Sequence, residues 1–129
     1  MRVSAFDDPI SFTSEYSYRE WAIEYFNLRE IAQGSPLVGR LHIDSMPVGD
    51  DLLFGGPFLV EGNVLYAPLF VRKFCISGFK LCRIDLRTRH YEFITKIQPL
   101  IFLDRIEGAM IFYFEDIEKG SVKSVYIDG

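Results

Sequence analysis

Cysteine is scarce in this chain, with two in 129 residues, too few for the disulfide scaffold of a small secreted domain. Long hydrophobic runs are missing too. No stretch approaches about 18 apolar residues, and the first thirty residues hold no apolar run of about seven behind a basic start. Neither a membrane span nor a secretory leader is therefore expected, and the cytoplasm is the expected setting. Basic excess is lacking as well: 14 Lys and Arg stand against 18 Asp and Glu, for a formal charge of −4. Phosphate neutralisation needs cations that locally outnumber acids, so no nucleic-acid partner is expected. A basic protein is the better electrostatic match.

Signatures of chemistry are equally sparse. The two histidines, His42 and His90, stand apart without the spacing of a zinc motif, so no metal site is expected. There is no glycine loop leading into Lys-Ser or Lys-Thr, no nucleophile elbow and no dinucleotide fingerprint, so neither cofactor nor nucleotide is expected. Asp7-Asp8 and Asp50-Asp51 are paired acids, but adjacent strand residues point to opposite faces and adjacent loop acids are usually solvated. These absences point away from an enzyme and assign no catalytic residue.

What the chain has in quantity is aromatic and branched apolar side chains. Phe 12 and Tyr 7 bring the aromatic share to 16%, a composition suited to the pleated, half-buried surface of a sheet. The chain also repeats. Leu28–Ser35 and Phe114–Ser121 superpose at twice a spacing of about 43 residues, with Val71–Gly78 midway. Each copy runs apolar, charged, charged, apolar, glycine, and leads into a segment ending Ile43-Asp44, Ile84-Asp85 or Ile127-Asp128. These aspartates are expected to cap the following turns. The reading is one domain over 1–129, all-β, of about three antiparallel meander units at roughly 1–56, 57–98 and 99–129.

In the middle unit, Val64–Val71 is an apolar run, Gly78-Phe79 reads as a two-residue turn, and Lys80–Leu86 alternates. That turn would set Cys75 opposite Cys82. A further turn at Arg87-Thr88-Arg89 leads to a strand at His90–Ile94. The third unit repeats the plan with Met110–Glu115, Gly120-Ser121 and Val122–Asp128, and acid-glycine pairs at Glu61-Gly62 and Glu107-Gly108 read as turns after preceding strands. The first unit is ambiguous. Ser17–Glu20 has the form of a capping box, and Tyr18, Trp21, Ala22, Tyr25, Leu28 and Ala32 make a helical stripe closed by Gly34, so a helix over 18–33 is the alternative to a strand there.

Ile84-Asp85-Leu86-Arg87-Thr88 and Phe114–Gly120, an aromatic strand, a short turn and a strand ending in an apolar-Asp pair, resemble β-propeller blades. The resemblance covers roughly residues 21 to 128 and singles out no propeller family. It implies four-stranded meanders. Three copies do not fill a ring, so it also implies completion by a homodimer, packing as a sandwich, or an open sheet with covered edges.

A small acidic β-protein without catalytic residues suits binding better than turnover. The expected contact surface for a basic protein is the acidic set Asp104, Glu107, Glu115, Asp116 and Glu118, as in an immunity- or inhibitor-type protein capping a toxin. Arg83, Arg87, Arg89 and His90 form the opposite case, a patch that would suit an anion. A lectin-like or small-ligand module, oligomeric and using exposed Tyr or Trp21 as stacking platforms, is the second reading.

Overall fold

The computed structural model describes residues 7–73 and 75–127, which build twelve strands and, among the described residues, no helix. They fall into antiparallel meanders. The first comprises β1 (Glu15–Tyr18), β2 (Trp21–Glu30), β3 (Leu37–Ile43) and β4 (Met46–Pro47). The second comprises β6 (Leu59–Glu61), β7 (Val64–Lys73), β8 (Ile76–Asp85) and β9 (Tyr91–Phe93). The short β5 (Leu53–Phe54) joins these two into one sheet by pairing with both β3 and β7. The third, β10 (Phe102–Glu107), β11 (Met110–Phe114) and β12 (Val122–Tyr126), is a separate sheet.

Within residues 18–33 the chain forms the strand Trp21–Glu30, and the helical alternative is not realised. Trp21, Ile23 and Tyr25 are buried while Ala22 and Phe26 are exposed, a period of two that a helix cannot produce. The helical stripe in the sequence mixed residues of both faces. Ser17 lies in β1 opposite Ala22 instead of capping a helix, and Arg19, at φ 54°, makes the tight turn into β2.

Two cores explain the layering. Leu65, Ala67, Leu69, Cys82 and Ile84 of β7–β8 pack with Ile23, Tyr25, Leu41 and Ile43 of the first meander. The alternate residues Tyr66, Phe79 and Leu81 pack with Phe102, Leu103, Ile111 and Tyr113 of the third. Both faces of β7–β8 are covered, which is why Val64–Val71 reads as an unbroken apolar run rather than an alternation.

The middle hairpin turns earlier than its sequence suggests. Lys73 pairs with Ile76, so the chain reverses between these two residues, and Gly78 lies within β8 opposite Val71. The glycine is there because another segment crosses: Phe79 and Gln98 exchange backbone hydrogen bonds of 2.8 and 2.7 Å. A Cβ on Gly78 would stand 2.6 Å from the Gln98 carbonyl oxygen. Cys82 consequently opposes Ala67, and Cys75 sits exposed in the turn. Seven residues of extended chain separate the two sulfurs by about 23 Å, beyond disulfide reach. The acid-glycine turns are present, with Gly62 at φ 62° and Gly108 at φ 58°.

Candidate functional site

The third meander gathers all five acidic residues singled out in the sequence, but divides them and pairs three of them with cations. Asp104 and Glu107 lie on β10, whereas Glu115, Asp116 and Glu118 lie in the connection from β11 to β12 at the other end of the sheet. Phe102 pairs with Phe114 and Glu107 with Met110, so Glu107 lies about 15 Å from Glu115 along the strands, with Asp104, at the bulge between Leu103 and Arg105, roughly half-way between them. Arg105 stands between Asp104, at 2.5 Å, and Glu107, and bonds both. Glu115 is paired with Lys123 at 3.2 Å. Asp116 accepts a 2.9 Å hydrogen bond from the Gly120 amide, leaving Glu118 as an exposed carboxylate on the rim.

The more open feature is the sheet face between these groups. Ile111 and Tyr113 are buried, so the pleat turns Met110, Phe112 and Phe114 to the opposite side. Their direct partners on β12 are Tyr126, Ser124 and Val122. Tyr126 and Val122 are 62% and 51% exposed, among the most exposed large apolar side chains of the protein. The Arg105 guanidinium lies 4.2 Å from the centre of the Phe112 ring. The Lys119 ammonium lies over both Phe102 and Phe114, at 5.2 and 5.9 Å. Phe102 is buried, and over the half-buried Phe112 and Phe114 such cations cover ring area that the core leaves open. Composition indicated aromatic excess but could not say which rings stay outside; the alternation of β11 against β12 decides it.

Other expected contacts sit elsewhere. Arg83 bonds Glu92 across β8 and β9, and with Val64, Asp85 and His90 they line a cleft of about 160 Å³. Arg83 is therefore balanced by a carboxylate. Asp85 accepts from the Arg87 and Thr88 amides at 2.8 and 3.3 Å, the turn-capping role expected of it. Asp44 accepts from the Ala22 amide, at 2.8 Å, and ties the turn after β3 back to β2; Asp128 lies outside the described residues. Asp50 and Asp51 line a cleft of about 380 Å³ in which Asp51 bonds Arg40 at 2.7 Å. Asp8 caps its own turn through the Ile10 and Ser11 amides, and Asp7 accepts the Tyr16 hydroxyl. His42 rests against Phe26. Trp21 is 6% exposed and stacks on Tyr18, so it offers no platform to a ligand.

Among the described residues, no three His, Cys, Asp or Glu side chains converge as metal ligands, and no helix is long and apolar enough to cross a membrane. No protein-family model, curated protein or solved structure matches the chain.

Proposed function

We propose that the chain is a non-enzymatic protein-binding module whose contact surface is the outer face of β10–β12. The observation that carries this reading is the exposed apolar pair Val122 and Tyr126 flanking Ser124 beside Phe112. Rigid aromatic area surrounded by charged residues is the composition of binding hot spots.

Five carboxylates and three cations occupy residues 99–127, which favours a partner with a basic rim. Because Asp104, Glu107 and Glu115 are ion-paired within the meander, their contribution is to steering and orientation more than to affinity. An immunity- or inhibitor-type protein that caps a basic partner fits this surface. The lectin-like reading has less support, since Trp21 is buried and the cleft of about 380 Å³ is lined by Arg40, Asp50, Asp51 and aliphatic residues with no aromatic ring.

Affinity capture from the source cell, followed by calorimetry on the recovered pair, tests the reading. A 1:1 complex with a basic protein is expected for the wild type. Phe112→Ser combined with Val122→Asp should abolish it, while Met46→Asp, on exposed β4, should not. Equal binding by both variants would remove this face from consideration. The triple variant Glu115→Lys, Asp116→Lys, Glu118→Lys should slow association and weaken its salt dependence; an unchanged association rate would dismiss the basic-partner version.

A further inference from the structure

β12 is an edge: among the described residues it pairs with β11 alone. The direction of its free backbone groups follows from one hydrogen bond. The Ile127 amide donates to the Ala109 carbonyl at 2.7 Å, so in an antiparallel ladder Val125 and Lys123 also bond toward β11. The N–H and C=O groups of Val122, Ser124 and Tyr126 then point outward, unpaired by β11. Nothing typical of a protected edge blunts them. The strand holds no proline, no bulge, and a single charge, Lys123, which Glu115 already neutralises.

We infer that this edge pairs with β12 of a second copy, antiparallel about a two-fold axis through Ser124, making one six-stranded sheet from two third meanders. The sequence Val122-Lys123-Ser124-Val125-Tyr126 is self-complementary in that register. Ser124 meets Ser124 of the second copy, and Val122 meets Tyr126 twice, so the two most exposed apolar side chains of the sheet cover each other as aromatic–branched cross-strand pairs. Lys123 falls opposite Val125 and is kept away from its own copy. Shifting the axis to Lys123 would set two ammonium groups face to face and waste Tyr126. The short edge strand β9 offers no such match, because centring it on Glu92 would oppose two carboxylates.

The pairing is made by the backbone edge of β12 and the contact proposed above by its outer face; Val122 and Tyr126 take part in both, so Ser124→Pro, which alters the edge alone, tells the two apart. A five-residue edge is small beside the interface of an obligate dimer, and association is accordingly concentration-dependent.

Light scattering across a concentration series tests it. The wild type should approach twice its 14.9 kDa mass in the micromolar range, whereas Ser124→Pro should weaken association at least about tenfold. Proline there removes only an outward N–H and leaves the β11 ladder intact. In a Cys75→Ser background, Ser124→Cys should be joined to its copy rapidly by a short thiol cross-linker, and Ser17→Cys, on β1, should not. A wild type that stays at single-chain mass at about 1 mM, or a Ser124→Cys protein that cross-links no faster than Ser17→Cys, overturns the inference. Retained capture of the basic protein by Ser124→Pro would show the binding reading intact even then.

Discussion

Gly78 and Gln98 meet backbone to backbone, with room for a hydrogen on the glycine and none for a methyl group. Gly78→Ala would push away the segment that Phe79 holds through two backbone bonds. A loss of about 2–3 kcal/mol is expected in urea unfolding, the sum of overpacking and weakened buried hydrogen bonds. Gly34→Ala, at φ 77° with nothing within 4 Å, carries only the cost of its conformation, about 1 kcal/mol. Equal effects at the two sites would show that the crossing segment is not clamped.

Cys75 and Cys82 should behave as two unrelated thiols. Burial pushes the Cys82 thiol up to about 12, and the thiolate is the reactive form, so at pH 8 an alkylating reagent should label Cys75 alone. Both should react in denaturant. Rapid labelling of two thiols in the folded protein, or an intramolecular disulfide on oxidation, would contradict the register of β7 and β8.

The Tyr25 hydroxyl donates a buried 2.7 Å hydrogen bond to the Gly55 carbonyl. Tyr25→Phe keeps the ring against Phe12 and Phe58 but strands that carbonyl, and should cost about 1–2 kcal/mol. Leu65→Ala, in the same core, should cost about 2–5 kcal/mol through its cavity. Chemical denaturation midpoints at constant slope check both values.

Alkaline instability follows from the buried hydroxyls. Burial is the first cause raising Tyr16, Tyr25, Tyr66 and Tyr113, and it also raises Cys82. A group whose folded pKa is raised leaves stability intact below its unfolded pKa and removes it as pH climbs toward the folded one. Stability should therefore hold below pH 9 and fall between about pH 9 and 12, with tyrosinate absorbance rising together with unfolding. Absorbance rising fully before unfolding would mean that these hydroxyls titrate freely in the native protein.

Much of the fold was legible because it rests on short-range patterns. Met110–Glu115 followed by Gly120-Ser121 and Val122–Asp128 predicted the β11–β12 hairpin, and acid-glycine pairs marked two tight turns. Trp21-Ala22-Ile23 carried both a helical and a strand reading, and only the core beneath one face of β2 decides between them. Gly78 misled for a related reason: a glycine needed for a crossing chain looks the same in sequence as a glycine needed for a turn. The acidic set was visible as composition. Its ion pairs with Arg105 and Lys123 were not, since they depend on a bulge between Leu103 and Arg105 and on cross-strand register. Arg105 lay inside that set and could have signalled the neutralisation.

Because each face of the β7–β8 hairpin borders a different core, mutational freedom should be unevenly distributed along the chain. An outer strand such as β2 has every second position free to drift among polar residues, whereas residues 64–71 and 79–84 have almost none. Diversification for new partners would then accumulate on the outer sheets, with the central hairpin as the least variable stretch among descendants of this sequence.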